Sequence, residues 1–191
     1  MEELLCSFPI LIAMSSSFIA IKKSFRALDQ KQREALLQEL YSSSKDVQTF
    51  LDSRLLHEVD TEGLIKAMQK ETLGKVYRKG VPQTPDGRKV RGIIAQAKKL
   101  GASQRTCMEL EHLAFMGFVD YLDEYGGGPD SFEGMACEHL ETYLDLVMGT
   151  LKDESERATC IEEARKYLRK KRNMITDGLY GTFEEKTGMS V

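Results

Sequence analysis

Few residues in this chain have types and spacing suited to chemistry. Glu109 and His112 stand three apart, the Glu-x-x-His spacing that di-iron bundles use because positions i and i+3 of a helix project toward one shared metal. A complete site of that kind repeats the motif and adds two further carboxylates. The other candidate, His139, has Ala136 in place of an acid three residues before it. His139 also falls on an apolar helical stripe, where a core histidine is the simpler reading. Glu109, His112 and His139 thus make half a metal motif, and an enzyme follows only if the fold gathers all three, with another carboxylate, in one concave pocket. Nucleophilic pairs fare no better. Cys107 precedes His112 by five residues and Cys137 precedes His139 by two, and neither separation sets side chains side by side on a helix. Cys6, Cys107, Cys137 and Cys160 lack the paired spacing of a zinc site or disulfide framework, and they read as small core hydrophobes in a reducing, cytoplasmic setting. Gly126-Gly127-Gly128 follows a helical pattern and lacks the lysine and Ser/Thr of a phosphate-binding loop. The triplet ends a helix, and no catalytic residue and no cofactor are assigned.

Charge carries more information. Between Glu71 and Arg105 nine Lys/Arg face only Glu71 and Asp86, and Arg165 to Arg172 adds six more cations. A basic face over residues 75–99 is the surface expected to bind a partner, through Arg78, Lys79, Arg88, Lys89, Arg91, Lys98 and Lys99, with Arg165, Arg169 and Arg172 as a second segment. The partner it suits is another protein with an acidic surface, and no small-molecule substrate is implied. That reading requires Arg88, Arg91, Lys98 and Lys99 to share one exposed face beside the 78–89 loop. Nucleic acid or phosphate binding is the alternative, and it requires the face to continue onto Arg165, Arg169 and Arg172. It is disfavoured by a pI near 5.7 and by basic segments without interleaved aromatics. The plain competitor is solubility, since cations in a last turn complement the helix dipole and mixed charge solvates any helical surface.

Amphipathic helices must position these groups. Asp29 with Gln32 forms a capping box before Leu36, Leu37, Leu40 and Tyr41, and Ser42-Ser43-Ser44 ends that helix. Val47, Phe50, Leu51 and Leu55 mark a third helix, and a fourth starts near Asp60-Thr61 with Ile65, Met68, Leu73, Val76 and Tyr77. Gly80, Pro82, Pro85 and Gly87 make Arg78 to Lys89 a loop. Val90, Ile93, Ile94, Ala97 and Leu100 then form a helix closed by Gly101, and Ser103 opens another. From Leu113 to Leu122 apolar residues occupy nearly every face, which places this helix at the centre of the fold. Asp130 with Glu133 caps the helix of Phe132, Met135, Ala136, Leu140, Tyr143, Leu144 and Val147. Asp153 with Glu156 opens one carrying Ile161, Ala164, Leu168 and Ile175. Period-2 strand patterns are absent. The expected architecture is all-α, an irregular array of about seven to eight amphipathic helices in antiparallel pairs around a central hydrophobic helix.

A chain of 191 residues, 41% hydrophobic and 30% charged with net charge −3, fits one globular domain over 14–177 with a tail at 178–191. The tail carries Leu179, Tyr180 and Phe183, able to dock on the domain or on a neighbour. Surplus apolar residues on the two long helices leave room for a homo-dimer. Leu4 to Ile21 is uncharged, but Pro9 and Ser15-Ser16-Ser17 interrupt it, so a membrane is not the expected partner. Met14 is read as the natural start, with 1–13 a non-native or disordered extension. Ser15 to Ser17 then cap a short helix with Phe18, Ile21, Phe25 and Leu28 on one stripe.

The runs Phe25-Arg26-Ala27-Leu28-Asp29, Leu36-Leu37-Gln38-Glu39-Leu40-Tyr41 and Val47-Gln48-Thr49-Phe50-Leu51 resemble the opening of a bacterial family of small all-helical proteins of unknown function. The basic helix Arg88 to Leu100 and the segment Tyr121 to Val147 are similar to later parts of it, so the likeness covers roughly residues 22 to 150. The resemblance implies a cytoplasmic helical fold, brings no activity, substrate or catalytic residue, and supports Met14 as the start.

Overall fold

The computed structural model describes residues 16–56, 59–81, 83–129, 131–171 and 177–191. The extension 1–13, Met14 and the cap residues Ser15 and Asp130, together with Cys6, Pro82, Arg172 and Ile175, lie outside the described residues. Every regular element among the described residues is helical. The chain divides into two compact units, one ending at Leu51 and one starting at Asp52.

The first unit holds α1 (Ser16–Ala27), α2 (Gln30–Ser43) and α3 (Lys45–Leu51). The capping box forms as the sequence dictates: Asp29 Oδ1 accepts from the Gln32 amide at 2.8 Å, and Gln32 Oε1 accepts from the Asp29 amide at 3.0 Å. Ser44 turns the chain into α3, and Gln48 Nε2 donates to Tyr41 Oη across that corner at 2.9 Å. No residue from Ser17 to Leu51 is buried, so the apolar stripes of α1 and α2 are largely open.

The second unit contains the hydrophobic core. A π-helical turn, Asp52–Leu56, leads to α4 (Thr61–Glu71), capped by Asp60, then to the single turn α5 (Leu73–Val76). One continuous fourth helix is the sequence expectation, and Thr72 breaks it: its φ is −108° and its ψ −100°, while its hydroxyl donates back to Met68 O at 2.7 Å. The loop is also shorter than the pattern of Gly and Pro suggests. Asp86 Oδ1 accepts from the amides of Arg88 and Lys89, so α6 (Gly87–Leu100) starts at Gly87. Gly101, at φ +80°, ends α6, and Gly126, at φ +66°, ends α7 (Gln104–Tyr125).

The central position of α7 follows from its composition. Leu110, Ala114, Phe115, Phe118 and Val119 are all fully buried. It forms an antiparallel hairpin with α8 (Ser131–Thr150): Gln104 meets Thr150, Glu111 meets His139 and Phe118 meets Phe132, one number rising as the other falls. Helix α9 (Glu154–Arg169), capped by Asp153, runs parallel to α7, with Arg105 near Glu156 and the Tyr167 hydroxyl on Met116 O. The tail expected at 178–191 contains a further helix, α10 (Asp177–Thr187), which seats Leu179 and Phe183 in the core. Lys186 ties it to Glu141 and Asp145 of α8 at 2.8 and 2.9 Å. Helices α7 to α10 therefore alternate in direction in an up-down-up-down bundle, and α4 to α6 pack on the other flank of α7. The break at Thr72 and the tail helix account for the helices beyond the expected seven to eight.

Candidate functional site

Three concave regions of the second unit bear the residues that chemistry would use. The first lies where the end of α4, α5 and the first turn of α6 converge, a cleft of about 570 Å³ with Lys70, Glu71, Lys75, Arg78, Gln83 and Lys89 in its wall. Four cations face one carboxylate there. Glu71 is shared, with Lys75 Nζ 2.8 Å from Oε2 and Lys89 Nζ 3.6 Å from Oε1. The backbone positions them: Lys75 of α5 stands four residues after Glu71, the last residue of α4, and the Asp86 cap starts α6 early enough to present Lys89. The Gln83 amide donates to Lys75 O at 3.1 Å and folds the loop back across this end. Asp86 is engaged by backbone: the Lys89 amide above all, with the Arg88 amide and the charges of Lys75 and Lys89, holds its carboxyl below the ordinary 3.8.

The second region, about 260 Å³, lies between α6, α7 and α8 and is lined by Arg91, Lys98, Glu111, Glu138, His139 and Thr142. Its charges are matched in pairs. Arg91 Nη2 donates to Glu138 Oε2 at 2.7 Å, and Lys98 Nζ stands 3.7 Å from Glu111 Oε1. Glu111 Oε2 lies 2.6 Å from His139 Nδ1, with both side chains buried and Phe118 stacked on the imidazole at 5.8 Å between ring centres. His139 Nε2 is buried and makes no hydrogen bond to the described residues. This carboxylate–imidazole pair has the orienting geometry of a general base. The cleft beside it holds Thr142 but no cysteine or serine.

The third region, about 380 Å³, gathers Arg105, Glu109, His112, Tyr143, Cys160 and Glu163 between α7, α8 and α9. His112 stacks on Tyr143 with ring centres 4.6 Å apart. Burial pushes the His112 pKa below its ordinary 6.5, with Glu163 opposing, and burial pushes the Cys160 thiol up. A thiol held protonated is a poor nucleophile, so the nearness of Cys160 to His112 does not activate it.

These positions separate the sequence candidates. Glu109 and His112 share the third region while His139 lines the second, so the three do not converge. Among the described residues no group of three or more His, Cys, Asp or Glu is placed to hold a metal ion. Arg88, Arg91, Lys98 and Lys99 are exposed on α6, opposite the buried Val90, Ile94 and Ala97, and Arg91 and Lys98 are paired with acids. Lys79 is exposed beside the loop. Arg165 of α9 stands 3.6 Å from Glu162, and Arg169 is exposed in the last turn of that helix. Helix α9 packs on α8 and α10 whereas α6 packs on α4 and α7.

Sequence reading missed Lys70, Glu111, Glu138 and Asp120. Glu111 falls at helical spacing within the buried series Cys107, Leu110, Ala114, Phe115 and Phe118, a signal of a buried acid that needs a partner. Asp120 interrupts the apolar run of the same helix. Its Oδ1 accepts from the Tyr167 hydroxyl and from Lys171 Nζ, and Lys171 also lies 3.5 Å from Asp123. Comparison of the chain with protein families, with curated proteins and with solved structures finds no match.

Proposed function

We propose that this protein is a non-catalytic interaction module that receives an acidic segment of another protein in the cleft between α4, α5 and the start of α6. The observation that carries this reading is the wall of Lys70, Lys75, Arg78 and Lys89 against the single Glu71. On the rest of α6, Arg91 and Lys98 already have acidic partners within the fold, so a ligand at those two positions must displace Glu138 or Glu111. At the cleft, Lys70, Lys75, Arg78 and Lys89 outnumber Glu71, which two lysines share, and the neighbouring Asp86, whose carboxyl also feels Lys75 and Lys89, and the excess positive charge steers and holds carboxylates from outside. The described cysteines Cys107, Cys137 and Cys160 are free, as suits a cytoplasmic protein. No described helix is long and apolar enough to cross a membrane.

The test is a titration of the full chain with a fluorescent glutamate-rich peptide and, in parallel, with a single-stranded oligonucleotide of equal charge, each over a range of salt. The reading predicts saturable peptide binding and weaker oligonucleotide binding. Tighter oligonucleotide binding with a salt dependence of several phosphate contacts would overturn it in favour of nucleic acid. Absence of peptide binding at low salt overturns it as well.

A further inference from the structure

We infer that α1 lies on an anionic lipid surface, with its apolar stripe at the acyl boundary and Lys22, Lys23 and Arg26 at the level of the phosphates. The stripe Phe18, Ile21 and Phe25 recurs at helical spacing, and these residues are 48%, 62% and 46% exposed. A helix of 12 residues is marginal in water and holds its form by burying such a stripe against something apolar. The charge says what. Between Ser16 and Ala27 there are three cations and no acid, the composition of a basic amphipathic helix that binds negative lipid surfaces.

Two other occupants are less well matched. A second copy of α1 would bring two identical sets of cations to one seam, at a cost in repulsion. A protein groove takes the stripe alone, whereas the chain immediately before α1 runs uncharged from Leu4 to Ala13 and includes Leu5, Phe8, Ile10 and Leu11. A lipid surface accepts any length of such sequence. Lys22, Lys23 and Arg26 within the 12 residues of α1 keep that helix at the level of the headgroups, on the surface. The cytoplasmic leaflet, rich in anionic lipid, is the surface its charge fits. The sequence expectation that no membrane is involved rested on a spanning segment, which this geometry does not need.

Co-sedimentation of the full chain with vesicles tests this. Phosphatidylcholine vesicles with equimolar phosphatidylserine should carry the protein down, phosphatidylcholine alone should not, and added salt should release it. Reversing the cations (Lys22→Glu, Lys23→Glu, Arg26→Glu) should weaken binding about a hundredfold. Ile21→Glu with Phe25→Glu should abolish it while leaving the thermal transition unchanged, because among the described residues the buried hydrophobic core lies beyond Leu51. Protein that stays in the supernatant with anionic vesicles at low salt overturns the inference, as does sedimentation indifferent to both variants. A concentration-dependent dimer lost in the Ile21→Glu, Phe25→Glu variant, without lipid binding, overturns it in favour of a second copy.

Discussion

Asp120 shows how one buried acid organises its surroundings. Its side chain is only 6% exposed, and it gathers the Tyr167 hydroxyl and the ammonium of Lys171, whose Nζ also sits 4.7 Å from the centre of the Tyr167 ring. Burial first, then the Asp120 charge, pushes the Tyr167 hydroxyl far above its ordinary 10.0 and the Tyr77 hydroxyl to about 12. Removing the acid leaves the nearly buried Lys171 with only Asp123, 3.5 Å away, and the Tyr167 hydroxyl with only the Met116 carbonyl. Asp120→Ala should therefore lower unfolding stability by about 3–5 kcal/mol, measured by urea titration, and Lys171→Met introduced with it should restore part of the loss. His112 sets an acid limit in the same region of the fold. In the folded state burial holds its pKa below 6.5, so the unfolded chain binds more protons just beneath that pH, and stability rises with pH across the window. Its contribution is complete above pH 6.5 and is lost as acid pulls the unfolded state down. His112→Phe should flatten this limb of the stability profile. The presence of Glu109 and His112 on one helix was legible from their spacing. The partners of His112 and His139 were not, because Tyr143 and Glu111 come from opposite arms of a helical hairpin whose register only the packed core fixes.

At the scale of elements, caps were legible and joints were not. Asp29, Asp60, Ser103 and Asp153 start helices where short polar side chains precede apolar periodicity, and Gly101 and Gly126 end them. The break at Thr72 has a tertiary cause. A Cβ added to Gly117 of α7 would come 2.3 Å from Thr72 Cβ and 3.1 Å from its Cα, so α7 has room for this corner only because it carries no side chain there. Nothing near Thr72 in sequence reports that contact. Gly117→Ala should cost about 1–3 kcal/mol, and since the corner aims α5, it should also weaken ligand binding at the basic cleft. Gly92 of α6 is the internal comparison: a Cβ there meets nothing within 4 Å. Gly92→Ala should stabilise by about 0.5–1 kcal/mol on helix propensity alone. Thermal unfolding of the two variants separates the readings, and a neutral Gly117→Ala would contradict the close approach.

For the whole molecule, the all-helical class and the central place of the Leu113 to Leu122 segment followed from periodicity, because a helix apolar on every face has nowhere else to go. Which cations of the basic face are paired within the fold did not follow. Sequence shows where cations are dense, but Glu138 and Glu111, far along the chain, pair with Arg91 and Lys98 once α8 and α7 are packed against α6. Excess charge is left at Lys70, Lys75, Arg78 and Lys89, a smaller target than residues 75–99. The most direct measurement compares two charge-reversed full-length proteins for binding to the same glutamate-rich peptide. Arg78→Glu with Lys89→Glu should lower affinity at least about tenfold, and Arg91→Glu with Lys98→Glu, at the internally paired positions, should leave it within about twofold. Equal losses in the two proteins, or a loss confined to the second, would contradict the cleft as the binding surface.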